Sequence, residues 1–261
     1  MAEATAGTGT LSPKDLARLI GVSESSVKRW VDGGLIDVTR TVGGHRRITV
    51  PEALRFIRAN DLRMMQPELL GLPDINWLPD ALRDGPLDHA LYDLLTAGEA
   101  SAVRGLLIER WTAGDSLAAL FDEAVAPALN RIGEIWQHGP EGIYVEHVAT
   151  NICIDAVTHL QALLPVPGDD APVAIGGAAP GDPYFIPSLM TAAVLSESGI
   201  RAINLGADTP PDALDAAVAH HKPRLVWVAV ASEYEPESLR ALADDLVLRM
   251  TARGIDVIAG G

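Results

Sequence analysis

The feature that most limits what this chain can fold into lies in its last third. From Val173 onward, short apolar runs alternate with helical stretches: VAIGGAA, SLMTAAVLSESG, AINLGA, PDALDAAVAHH, LVWVAVAS, PESLRALADDLVLRMTARG and DVIAGG. Consecutive strands separated by a helix pair in parallel, because the chain must cross back over the sheet before the next strand begins. Residues 171–261 are therefore expected to form a Rossmann-like, doubly wound α/β domain. DVIA before Gly260-Gly261 reads as a fourth strand. A helix and a fifth strand would normally follow, so the domain is expected to be C-terminally incomplete.

Upstream the periodicity changes. Residues 79–166 carry apolar positions at helical spacing, which predicts four helices at about 87–97, 99–113, 115–137 and 143–164. Leu91, Leu94, Leu95, Leu106, Leu107, Leu117, Leu120, Phe121, Val125, Leu129 and Ile132 should form the core of a four-helix bundle. The Pro- and Gly-rich segment LLPVPGDDAPV separates this bundle from the α/β domain, and MMQPELLGLPDINWLPD links it to what precedes. Residues 11–75 read as a winged helix-turn-helix domain. The first ten residues, small and polar, read as a disordered tail. The fold class is thus mixed: winged helix-turn-helix, four-helix bundle and α/β domain in that order.

Charge follows the same division. The chain carries −15 overall, yet residues 1–60 hold nine Lys/Arg against six Asp/Glu, leaving −18 for the rest. A small basic module on a long acidic body fits a DNA-binding head joined to a sensor. The single cysteine, Cys153, excludes a disulfide framework and a cysteine-cluster metal site, and it fits a reducing cytoplasm. With no basic-apolar leader and no apolar run near 18 residues, neither secretion nor membrane spanning is expected.

In the head, Ser12 precedes Pro13 at the first position of a helix, PKDLARLIG, and Ser23 caps a second, ESSVKRWVDGG. Val27, Trp30 and Val31 give that second helix an apolar side. Ser25, Ser26, Lys28 and Arg29 lie largely on the other, as major-groove entry requires. LIDVTRTVGGHRRITV then reads as a hairpin, a wing with Arg40 on its first strand and His45, Arg46 and Arg47 at its tip. Guanidinium groups there meet phosphates and fix register rather than read bases. The order helix, Gly turn, helix, GGHRRI, then Val50-Pro51-Glu52 closely resembles the MerR family and related excisionase-like winged heads. That resemblance implies double-stranded operator DNA as partner and a homo-oligomer, dimer or tetramer, on paired half-sites.

In the bundle, Trp136 lies at the end of the third helix. Glu146 and His147 lie one turn into the fourth, beyond the turn Gly139-Pro140-Glu141-Gly142. Adjacent helix residues point about 100° apart, so Glu146 and His147 cannot both be core. W-x9-EH followed by an α/β domain resembles the B12-binding photoreceptor repressors of carotenoid genes among MerR-type regulators. The resemblance implies that the bundle caps a cobalamin, adenosylcobalamin above all, with Trp136, Glu146 and His147 over its upper ligand. His138, in the same turn, is a further candidate.

The same resemblance covers the α/β domain, through Asp182, through Ser232 after LVWVAVA, through LGADTP (205–210) and through Gly260 and Gly261. It fails at one position. The family's first loop, D/E-x-H-x-x-G, carries the histidine that ligates cobalt from below. Here the loop is GDPYFIPS, with Asp182 in place, Tyr184 where the His belongs and Pro187 where the Gly belongs. A phenol ionises only near pH 10 and does not replace imidazole, so the metal ligand is left unassigned. Three outcomes stay open: cobalamin without a protein lower ligand; haem or another tetrapyrrole, with Tyr184 at the metal and His138 or His147 facing it from the other side; or no cofactor. The function expected is a transcriptional regulator, a repressor and not an enzyme, whose tetrapyrrole or light sensing controls oligomerisation. The alternatives are a cofactor-free regulator governed by protein partners, and a corrinoid carrier serving methyl transfer.

Overall fold

A computed structural model describes residues 9–72, 75, 86–136 and 140–260. The chain forms two compact units, Met1–Pro165 and Val166–Gly261.

The first unit begins with a strand where a tail was expected to end. β1 (Thr10–Leu11) pairs antiparallel with β3 (Arg46–Thr49), Leu11 opposite Ile48. Thr10 thus belongs to the head, because Leu11 is buried and extends the wing sheet inward. α1 (Pro13–Leu19) starts at a capping box: the Ser12 hydroxyl accepts from the Asp15 N–H, and the Asp15 carboxylate accepts from the Ser12 N–H. α2 (Glu24–Asp32) is capped by Ser23, whose Oγ accepts from the Ser26 N–H. β2 (Thr39–Arg40) completes a three-stranded sheet in the order β1-β3-β2. The wing turns at Gly44, whose φ of +77° disfavours any side chain. α3 (Val50–Ala59) buries Ala53, Leu54, Phe56 and Ile57, and the Phe56 ring meets Trp30 of α2 at 5.0 Å.

The head is seated on the bundle through α3. Arg58 lies 4.5 Å over the buried Trp111 ring, and its Nη1 donates to the Asp115 carbonyl at 3.1 Å. The bundle helices are α4 (Leu87–Ala97), α5 (Ala100–Thr112), a third helix in two pieces, and a long last one. The third runs as α6 (Leu117–Leu120), a π-helical turn at Phe121–Val125, and α7 (Ala126–Trp136). α8 (Pro140–Leu163) starts three residues earlier than the sequence predicts. Pro140, read as part of a turn, is its first residue, where proline's fixed φ and missing N–H cost nothing. Of the expected core, Leu94 and Leu129 are only half-buried; the other nine are buried.

The second unit is a parallel sheet in the order β5-β4-β6-β7: β5 (Arg201–Asn204), β4 (Val173–Ala178), β6 (Leu225–Ala229) and β7 (Asp256–Gly260). α9 (Ile186–Glu197) covers one face over Ala174 and Trp227. α10 (Pro211–His221) and α11 (Pro236–Thr251) cover the other over Ile175 and Val226. Strand order reverses between β4 and β6, which makes their C-terminal ends the switch point of this sheet.

Candidate functional site

On the head, the hydroxyls of Ser23, Ser25 and Ser26 form a cluster at the start of α2, with contacts of 2.9 Å from Ser23 to each of the other two. Arg29 donates to Ser26, and Lys28 pairs with Glu24 one turn back. Ser25, Lys28, Arg29, Arg40 and His45 are all exposed, and Ser26 is half-buried. β3 alternates, so Arg46 and Arg47 point to opposite faces of the wing. Arg46 reaches back to Asp32 at the end of α2, Nη2 to Oδ1 2.6 Å, and braces wing against helix. Glu52 fastens the intervening turn: its carboxylate accepts from the Asp37 N–H and from Arg55, which also donates to the Leu35 carbonyl. Sequence reading missed this brace, which joins residues too far apart to form a motif.

In the bundle, Trp136 is the last residue of α7. Its side chain lies outside the described residues, as do His138 and, at the other end of the chain, Gly261. The earlier start of α8 places Glu146 and His147 nearly two turns into it rather than one. The two side chains touch, His147 Nε2 to Glu146 Oε2 3.5 Å, while the other Glu146 oxygen accepts from Thr150 Oγ1 at 3.0 Å. Glu146 is largely covered and His147 exposed. Ile143 and Tyr144, exposed one turn earlier, set an apolar surface beside this polar pair.

At the switch point of the α/β domain, three loops are tied together. Asp182, in the loop after β4, is fully buried. Its Oδ2 accepts from the N–H groups of Ala231 and Ser232 at 2.6 and 3.1 Å, and its Oδ1 from the Tyr184 N–H and the Ser232 hydroxyl, both at 3.0 Å. Burial alone would push this carboxyl up, but the backbone donors of Ala231, Tyr184 and Ser232 and the Ser232 hydroxyl outweigh it and hold it below the ordinary range. Asp208, after β5, accepts from the Gly181 N–H at 2.6 Å and donates its own N–H to the Asp182 carbonyl. Tyr234, after β6, donates to the Pro180 carbonyl at 2.8 Å; burial and the charges of Asp182 and Asp208 raise its pKa. Tyr184 points outward, 52% exposed. Gly260 sits in open space, where an added Cβ would meet nothing.

Residues 10–61 match the helix-turn-helix domain family HTH_17, and residues 87–161 match the B12 binding domain family B12-binding_2. The chain joins a helix-turn-helix domain to a B12 binding domain. It is 26% identical to the HTH-type transcriptional repressor CarA of Myxococcus xanthus over 97% of this chain and 86% of that one. Among solved structures it is similar to the monomethylamine corrinoid protein of Methanosarcina barkeri, at 17% identity and a TM-score of 0.49 over 66% of this chain and 82% of that one. It is also similar to the methanol:cobalamin methyltransferase complex of the same organism, at 16% identity and a TM-score of 0.32 over 92% and 81%.

The residues of the B12 binding domain and those of the α/β domain are unequally suited to a corrinoid. The start of α8 offers an apolar surface with an exposed imidazole and a carboxylate, groups suited to a flat, largely apolar ring with polar substituents. The loop after β4 offers no imidazole, and the Asp182 carboxylate is spent on Ser232 and the backbone. Among the described residues no cluster of three His, Cys, Asp or Glu could hold a metal ion, and no helix is long and apolar enough to cross a membrane.

Proposed function

We propose that this chain is a cytoplasmic, DNA-binding transcriptional repressor that senses cobalamin and converts its binding into a change of operator affinity. What carries the reading is the likeness to a named repressor along nearly the whole chain, combined with a complete winged head and a B12 binding domain. α2 enters the major groove with Ser25, Ser26, Lys28 and Arg29. Arg40, His45 and Arg47 meet phosphates, and Arg46 holds the wing at the angle that lets them do so. One head spans one half-site, so operator binding requires a dimer or tetramer of the chain. It is a regulator and not an enzyme.

Adenosylcobalamin is the form proposed; Trp136, His138, Glu146 and His147 would hold it beside the start of α8. When bound, it supplies a cobalt–carbon bond that light can break. This chain's own residues supply the apolar rest of Ile143 and Tyr144 and the polar pair Glu146–His147. Tyr184 does not act as a metal ligand, because its ring points to solvent. The test is the absorption spectrum of the full chain titrated in the dark with adenosylcobalamin. Binding without histidine coordination to cobalt is expected in the wild type. Tyr184→His, combined with Pro187→Gly to free the loop, is expected to introduce that coordination. A wild-type spectrum of histidine-ligated cobalt would refute the assignment, and absence of binding would leave a regulator governed by protein partners.

A further inference from the structure

Ligands of open parallel sheets enter at the carboxyl ends of the strands, where the order reverses. In this domain that point lies between β4 and β6, and the two strands are paired with Gly176 opposite Trp227. On the α9 face, Gly176 leaves a slot one side chain deep, and Trp227 fills it. A Cβ at position 176 would lie 2.2 Å from the indole ring and 2.1 Å from the Trp227 carbonyl oxygen, so the glycine exists to admit this ring. Trp227 is 1% exposed, with Ala174 and Ala192 closed around it.

The slot is lined by apolar side chains except at the end that meets the indole N–H. Trp227 Nε1 donates to Ser188 Oγ at 3.0 Å, and Ser188, fully buried on α9, donates to Asn204 Oδ1 at 2.8 Å. The same Asn204 oxygen accepts from the Gly206 N–H, while Nδ2 is buried with no partner. A buried donor left unmade costs free energy, and here it lies beyond the Ser188 hydroxyl that meets the indole. On the opposite face, the cavity lined by Gly177, Thr209, Val228 and Leu246 is about 20 Å³, the room of one water.

We propose that Trp227 is a specificity-determining residue: its indole fills the interior slot into which the nucleotide tail of a cobalamin could otherwise reach, so this chain binds a corrinoid by its ring and is indifferent to the tail. The inference rests on the cobalamin reading above. The corrin ring is too broad to pass between a strand and a helix, its amide arms are too short to reach the slot, and the nucleotide on its long tether is the substituent that could do so. With Trp227 in place it stays outside.

The full chain titrated with aquacobalamin and with cobinamide, which lacks the nucleotide, tests this directly. The wild type is expected to bind both within threefold of each other. Trp227→Ala, and the milder Trp227→Leu should the first not fold by circular dichroism, are expected to favour aquacobalamin at least tenfold. Trp227→Phe keeps the slot shut and should behave as the wild type. A tenfold preference for aquacobalamin in the wild type, or an unchanged ratio in a folded Ala or Leu variant, overturns the role of Trp227 and leaves the cobalamin reading standing. Failure of the wild type to bind either corrinoid overturns both.

Discussion

Replacing Asp182 with Asn tests whether the switch-point edge of the α/β domain is held shut by one carboxylate. Asn keeps the shape but turns one oxygen into a donor. With its NH2 at the Oδ2 position it would face two backbone donors, Ala231 and Ser232. At the Oδ1 position it would face the Tyr184 N–H and the Ser232 hydroxyl, and only the hydroxyl can turn to accept. The second placement is better, and it still orphans one N–H and removes the charge from the others. A hydrogen bond to a charged group contributes about 1.5–3 kcal/mol, and an unmade buried donor costs about 1–3 kcal/mol. The variant should therefore lose about 2–4 kcal/mol in the opening of this unit. The carboxyl sits below its ordinary range when folded. Its contribution is thus present above the unfolded pKa, near 4, and is lost as pH falls through the lower folded value. Hydrogen exchange of β4 and β6 amides in the full chain, followed from pH 7 into the acid range with intrinsic rates corrected, reads both effects. An Asn variant within about 0.5 kcal/mol of the wild type at pH 7, or one with the same acid loss of protection, would refute the argument.

Four further outcomes follow from the geometry. Arg47→Ala should weaken binding to all DNA sequences alike and reduce the salt slope by about one phosphate contact. Arg46→Ala should instead loosen the wing, visible as faster hydrogen exchange in β2, because its guanidinium is committed to Asp32. Arg58→Ala removes a cation–π stack and a hydrogen bond between head and bundle, together about 1–2 kcal/mol. NMR relaxation should then show the head tumbling faster than the bundle, and equal tumbling would contradict the contact. Gly176→Ala drives a Cβ into Trp227, so it should lower the α/β unfolding temperature or prevent folding, with overpacking costing about 1–3 kcal/mol. Calorimetry showing no change would refute the fit.

The elements were legible because each carries its own period: caps at Ser12 and Ser23, helical spacing in the bundle, and strands cut by helices after Val173. Errors fell where tertiary contact overrides local signal. Thr10 looked like tail because a two-residue strand has no pattern of its own, and its partner lies almost forty residues on. Pro140 looked like a turn because Gly-Pro-Glu-Gly reads as one, although proline is equally at home at the first position of a helix. In the α/β domain the sequence pointed to Asp182 and Ser232 separately, and to Tyr184 as a missing ligand. That Asp182 and Ser232 close on each other, and that Trp227 fills the space beside Gly176, comes from long-range packing. The Gly pair inside the apolar run VAIGGAA was the available signal, since glycine within a strand marks a close approach.

The most direct measurement of the central claim is the affinity of the full chain for operator DNA, selected from a random pool, with and without adenosylcobalamin in the dark and after illumination. If cobalamin is the signal, affinity for the selected sequence should shift at least tenfold with the cofactor, in step with a change in oligomeric state read by sedimentation, and light should reverse it. An affinity and an oligomeric state that stay the same across all conditions would contradict the account.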